Sequence, residues 1–299
     1  MDILRTPDEC FDGLVDCPFP PRYTQVEGPR IHHLEAGPVT GPPVVMLHGD
    51  PAWSYSYRKV LPMVGEAGYR AMAPDLVGFG RSDKPANEEA YTLSGHVAWL
   101  GSWLEALDLK EATLVCQGLS TVIGLRLASR MPTRLSSIVV AGGFLPTGDR
   151  PLGAAFGAWD LLARYSPFFS FGLAVQAGCK RKLSEEEKAA YEAPFPTTGH
   201  ATGARLLTRI VPRQPDEPEA WDNRRAWAVL VSWDKPFVTA FGEHDRFFKG
   251  AEEVLRHRVP GSAGQSHVRL PAGHFVQEDA PEKLARVIVE TAARGRSRQ

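Results

Sequence analysis

The sequence predicts a doubly wound, mostly parallel α/β sheet carrying an inserted helical layer. Three observations lead there: short apolar runs alternate with amphipathic helical stretches in the first half, the alternation stops near Pro151, and strand signals resume at Pro236. Strands that alternate with helices pair in parallel through crossovers, which puts helices on both faces of one sheet.

Taken in chain order, Ile31–Glu35 reads as a strand, Pro43–Leu47 (PVVML) as a fully buried one and Tyr69–Pro74 (YRAMAP) as another. Thr92–Leu107 sets Val97, Leu100, Trp103, Leu104 and Leu107 on one side at helical spacing. Ala112–Cys116 (ATLVC) and Ser136–Ala141 (SSIVVA) are further buried strands. From Pro151 to Trp233 no strand pattern stands out, aromatic residues crowd into FGAWDLLARYSPFFSF, and prolines at 167, 194, 196, 212, 215 and 218 interrupt the helical segments. Pro236–Phe241 and Ser266–Leu270 return to the sheet, and Pro281–Ala293 closes the chain as an amphipathic helix. The expected division is therefore residues 1–150 as the first part of an α/β core, 151–232 as a helical cap, and 233–299 as the second part of the core. A helical insertion between two stretches of one sheet is expected to cover the sheet's C-terminal edge, where such folds bind ligands.

Composition excludes several classes of partner. With 34 basic against 35 acidic side chains and no internal basic cluster, the chain lacks the electrostatic basis of nucleic-acid binding. The beginning, MDILRTPDECFDGL, has acids where a signal peptide needs a basic end and an apolar run, and no stretch approaches the length that spans a bilayer, so a cytoplasmic protein without a membrane partner is expected. Cys10, Cys17, Cys116 and Cys179 are dispersed without metal-ligand spacing and read as reduced thiols. Gly78-Phe79-Gly80 follows APDLV instead of opening a phosphate-binding helix, so no dinucleotide fingerprint is present and no cofactor is expected. The basic ending ARGRSRQ reads as a solvated tail.

Four segments directly follow predicted strands: His48-Gly49-Asp50-Pro51, Gln117-Gly118-Leu119-Ser120-Thr121, Gly242-Glu243-His244-Asp245 and Ala272-Gly273-His274-Phe275. Oxyanion loop, nucleophile elbow, acid and then histidine is the chain order of an α/β-hydrolase. A histidine on a Gly-flanked loop after a strand can face the crevice, and a carboxylate accepting from its Nδ1–H fixes the tautomer. Asp245 also suits a turn or helix cap before Phe247-Phe248, and His244 reads as a loop residue.

The chain resembles the haloalkane dehalogenase family, in the subfamily whose catalytic acid follows the later strand. The resemblance runs almost end to end: LRTPDECF, HGDPAWSYSYRK, APDLVGFGRSDKP, LVCQ, IGLRLA, FLPTGD, the FxxW of Phe156–Trp159, YEAPFP, WDKPFVTAFGEHD and AGHFVQED. It implies His274 as general base, Asp245 as the acid that orients it, the backbone N–H groups of Asp50 and Leu119 as oxyanion hole, and Trp159 as one of two halide-binding tryptophans. It also implies a small hydrophobic molecule as partner. Phe156, Trp159, Phe168, Phe169, Phe171 and Leu206 suggest an apolar chamber for it, a composition that cap packing alone would also produce.

The chain departs from the family at the elbow. Where the family has Gln-Asp-Trp-Gly-Gly, this sequence has Gln117-Gly118-Leu119-Ser120-Thr121. Gly118 replaces the aspartate that attacks carbon, and Leu119 replaces a tryptophan whose N–H holds the leaving halide. Glycine has no side chain and leucine no donor. Removing a covalent nucleophile costs rate by about 10⁶ in well-studied hydrolases, so ordinary dehalogenation should be nearly absent. Three readings follow. His274 with Asp245 acts as general base without a covalent intermediate, on a substrate already activated; Ser120 serves as the nucleophile of an esterase, although Val122 stands where G-x-S-x-G needs glycine; or the chain binds a hydrophobic ligand without turnover.

Overall fold

The computed structural model describes residues 2–166 and 168–297, so Pro167, among the prolines expected to break the cap, and the last two residues of the basic ending lie outside it. Among the described residues there are ten strands: β1 (Ile3–Leu4), β2 (Arg22–Gln25), β3 (Arg30–Ala36), β4 (Pro43–Leu47), β5 (Arg70–Pro74), β6 (Lys84–Pro85), β7 (Ala112–Gln117), β8 (Leu135–Ala141), β9 (Phe237–Gly242) and β10 (Val268–Leu270). Eight of them form one sheet in the order β10-β9-β8-β7-β4-β5-β3-β2, while β1 and β6 pair apart from it. From β10 to β5 every pairing is parallel; β3 runs antiparallel to both β5 and β2.

The central strands are buried over their full length in β7, β8 and β9, which explains why they read as unbroken apolar runs. Along β4 the alternation of the pleat divides the side chains between two cores. Val45 and Leu47 join the core on one face of the sheet, and Val44 and Met46 join the core on the other. Helices α1 (Val60–Glu66), α2 (Leu93–Ala106) and α3 (Ser120–Arg130) follow β4, β6 and β7 in the chain, with α2 and α3 packed together on one face. Between β8 and β9 no strand occurs among the described residues; the chain forms α4 (Ala154–Tyr165), α5 (Phe171–Gly178), α6 (Glu185–Glu192), α7 (Thr202–Leu206) and α8 (Pro218–Leu230). These helices share the core of the α2–α3 face through Phe156, Val175, Tyr191 and Trp227. The chain ends with α9 (Ala251–Arg258), α10 (Val276–Asp279) and α11 (Pro281–Arg296), the last packed on α1 across the opposite face. Helix α11 runs past the expected end at Ala293, so part of the basic ending is helical.

The crossover after β4 leads to β5 on one side, and the later connection returns to β7 on the other. The loops after β4 and β7 therefore part at the switch point of the sheet, where a crevice opens. A buried ionic cluster fastens α6 to the loop region on that crevice. Arg58 lies between Glu187 of α6 (2.6 Å) and Glu278 of α10, and Arg181 reaches the same two carboxylates.

Candidate active site

Strand β7 delivers Gln117 and then turns sharply at Gly118, whose φ of +60° is a conformation glycine adopts without a Cβ penalty. A Cβ built on Gly118 would stand 3.1 Å from His274 Nε2, so the elbow faces the histidine. His274 sits on the loop between β10 and α10, with its backbone N–H donating to the Gly178 carbonyl at the end of α5 (2.7 Å). Its Nδ1 meets Asp245 Oδ2 at 3.1 Å, while Asp245 Oδ1 accepts the Phe247 N–H at 2.8 Å. The two uses of Asp245 expected as rivals, partner of a ring and former of a turn, thus coexist on its two oxygens. Burial pushes this carboxyl upward, but the adjacent His274 ring and the N–H groups of Phe247 and Phe248 outweigh burial and hold it below its ordinary value.

The tautomer of His274 follows from Gln117. The side-chain Oε1 of Gln117 accepts the Gly49 N–H (3.0 Å), which turns its amide nitrogen toward the histidine. That nitrogen donates to His274 Nε2 (3.1 Å) and to the His274 carbonyl (3.0 Å). With a donor on Nε2 and a carboxylate on Nδ1, the ring carries its proton on Nδ1 and presents a lone pair beside the elbow. Asp50 and Leu119, whose backbone N–H groups are expected as an oxyanion hole, line the same cavity as His274, and neither N–H donates to another protein group among the described residues.

The carboxyl of Asp50 has a part in the site that its sequence context did not suggest. Its Oδ2 accepts the indole N–H of Trp159 at 2.8 Å, and its Oδ1 has no partner among the described residues. Burial pushes Asp50 up to about 7 against the opposing hydrogen bond from Trp159, with the Asp160 carboxylate adding to the rise. The donor that the family resemblance assigns to a halide is therefore engaged by a carboxyl oxygen.

Asp50, Leu119, Trp159 and His274 line a cavity of about 300 Å³ between the loops after β4, β7, β9 and β10 and helices α4 and α5. Phe156, Trp159, Phe168 and Leu119 form part of its wall, joined by Phe169, Phe247 and Phe248. Phe168 is 93% exposed and stands at the mouth. Phe171 does not line the cavity: it is buried and stacks on Phe195 with centroids 3.9 Å apart, as cap core, and Leu206 is likewise outside the wall. Ser120 is also elsewhere. It opens α3 fully buried, its Oγ accepting the Gln117 N–H (3.1 Å) and reaching the carbonyls of Gln117 (2.8 Å) and Leu47 (3.0 Å), so its hydroxyl serves the backbone and makes no hydrogen bond to His274. His244 is exposed on its loop. Sequence reasoning missed the Asp50 carboxyl and the Gln117 amide. The signal available was their position, a carboxylate and an amide at the C-terminal ends of two adjacent strands.

Among the described residues no group of His, Cys, Asp and Glu is arranged to hold a metal ion, and no helix is long and apolar enough to cross a membrane. The alpha/beta hydrolase fold family matches residues 42–281. A haloalkane dehalogenase of Mycolicibacterium paratuberculosis is 45% identical over 97% of this chain and 98% of its own, and one of Psychrobacter cryohalolentis is 43% identical over 97% and 98%. Among solved structures, the tetrameric haloalkane dehalogenase of Paraglaciecola agarilytica superposes with a TM-score of 0.89 at 30% identity, covering 98% of both chains.

Proposed function

We infer, for a chain that belongs to the haloalkane dehalogenase family of α/β-hydrolases, that it has exchanged covalent dehalogenation for general-base chemistry by His274 and Asp245. The substrate is a small, hydrophobic and already activated molecule, and dehalogenation is slight or nil. The observation that carries this reading is Gly118 at the elbow, its missing side chain directed at His274 Nε2. Without a carboxylate there, no alkyl-enzyme ester can form. Departure of a halide is unsupported as well, since Leu119 offers no donor and the Trp159 N–H is committed to Asp50.

What remains is suited to moving one proton. His274 Nε2 accepts it from a water or from the substrate, and Asp245 stabilises the imidazolium that forms. The N–H groups of Asp50 and Leu119 are available to an oxygen on which charge develops. General-base catalysis contributes about 10²–10⁴-fold, enough for an epoxide, an activated ester or an acidic C–H but not for a primary alkyl chloride. Styrene oxide and 4-nitrophenyl acetate are the test substrates. Loss of their turnover to background in His274→Ala supports the reading, and turnover unaltered by that substitution removes it.

One observation favours a second reading, a binding protein for hydrophobic ligands: the Gln117 amide already occupies the His274 lone pair. Under that reading the wild-type chain turns over none of these substrates, yet binds an apolar ligand with equal affinity before and after His274→Ala.

A further inference from the structure

We propose that the pocket takes a small organic cation, an ammonium group carried on an apolar body, with the Asp50 carboxylate as counter-ion and the rings of Trp159, Phe169 and Phe247 around it. This deepens the functional reading by naming a ligand class for the same cavity, and it concerns binding alone.

The first support is the isolation of Asp50. The residue is 6% exposed, one carboxyl oxygen accepts the indole N–H, and the other has no partner among the described residues. Among the described residues no Lys or Arg lines the cavity, and the only other ionisable side chain on its wall is His274, whose Nε2 accepts from the Gln117 amide. A buried carboxylate without an ionic partner is costly, and a ligand cation would offset that cost where a neutral or anionic ligand would not. The Asp160 carboxylate, next to Trp159 in the chain, is itself paired with Arg213 (2.7 Å) and Arg164 (3.4 Å), so the charge a ligand meets is that of Asp50.

The second support is the aromatic wall. The Trp159 ring lies 5.6 Å from Phe169 and 6.5 Å from Phe247, centroid to centroid, at interplanar angles of 57° and 75°. Rings inclined to one another in this way turn several π-faces and edges toward one volume, and a desolvated cation over such a face gains attraction that a hydrocarbon of the same shape does not. The indole N–H is directed at Asp50, which leaves the face of Trp159 for the ligand. A cavity of about 300 Å³ accommodates a substituted benzene bearing a trimethylammonium group.

The experiment is calorimetric titration of the full chain with two probes of equal shape, 3-(trimethylammonio)phenol and 3-tert-butylphenol, which differ in a charged nitrogen against a neutral carbon. At pH 8 the cation is expected to bind at least about tenfold more tightly than the neutral phenol. Asp50→Asn should reduce the two affinities to within about twofold. Should that variant fail to fold, the wild-type chain provides the same information at pH 5, where protonation of Asp50 should weaken the cation and spare the neutral phenol. The other charged or titratable groups near the pocket are His274 with Asp245 behind it, and Asp160 behind Trp159 with its partners Arg164 and Arg213. Equal affinities for the two probes in the wild-type chain at pH 8, or a preference untouched by Asp50→Asn, would overturn the proposal. Heat of binding is read without turnover, so the outcome is separate from the fate of the general-base reading, which rests on His274→Ala kinetics.

Discussion

At the scale of single residues, Asp50 sets the electrostatic character of the pocket. The family resemblance assigns the Trp159 N–H to a departing halide, and here a carboxyl oxygen accepts that N–H instead. Returning the family's elbow by Gly118→Asp with Leu119→Trp should consequently produce only weak bromide release from 1-bromobutane. The new side chain enters a φ of +60°, which aspartate tolerates better than most residues, but Trp159 stays engaged. Adding Asp50→Asn frees the halide site of negative charge and should raise bromide release by about tenfold or more, the worth of a hydrogen bond to a charged group. Equal release from the double and triple variants would separate Asp50 from the halide site. Asp50 also predicts a pH dependence of stability. Its carboxyl lies at about 7 in the folded chain against an ordinary 3.8, so the neutral form is favoured by folding. That contribution is complete below 3.8 and is lost as the pH rises through about 7, a span corresponding to roughly 4 kcal/mol at most. Asp50→Asn does not titrate, and its melting temperature should gain on the wild type from pH 4 to pH 7 and then run parallel to it. Residues of this kind were only half legible in the sequence. The motif segments drew attention to His274, Asp245 and Gly118, whereas the Gln117 amide and the Asp50 carboxyl acquire their roles from atoms 157 and 109 positions away.

At the scale of elements, the ionic cluster between α6 and α10 is what holds the helical layer to the loop that carries His274. Arg58 and Glu278 are fully buried, Tyr191 donates to the same Glu278 carboxylate, and Asp279 binds the N–H groups of Lys180 (2.7 Å), Arg181 (2.9 Å) and Gly273 (2.7 Å). Burial acts to raise Glu278, and the Arg58 charge with its hydrogen bond more than reverses it, leaving the carboxyl below its ordinary 4.5. Removing one member of a buried pair leaves the other uncompensated, so Glu278→Gln should cost about 3 kcal/mol or more in urea unfolding at pH 7. Because a depressed carboxylate stabilises above 4.5 and loses that contribution as the pH falls through its folded value, the difference from the wild type should narrow in acid. The elements legible in advance were those buried on both faces, β4, β7, β8 and β9, where continuous apolar runs leave little choice. Strand β2 was not legible. Its RYTQ is half-exposed at the edge of the sheet and exists by pairing with β3.

For the molecule as a whole, the layered order predicts where opening is rare. Amide hydrogen exchange should be slowest in β4, β7 and β8, which are flanked by strands on both sides and covered by helices on both faces, and much faster in edge strand β2 and in α4. Comparable exchange in β2 and β7 would contradict a core centred on the parallel strands. The sequence by itself determined the α/β class, the central strands and the family, because each of these is written in local apolar periodicity or in contiguous segments. It also determined that residue 118, where the resemblance expects a nucleophile, is glycine, since the identity of residue 118 needs no coordinates. The tertiary structure alone decided that β3 and β2 run antiparallel, that Phe171 packs in the cap instead of lining the cavity, that Ser120 serves the backbone, and that Asp50 meets Trp159. These are contacts between side chains and strands far apart in the chain, and no local pattern of hydrophobicity encodes which distant partner a polar atom will find when the sheet closes under its cap.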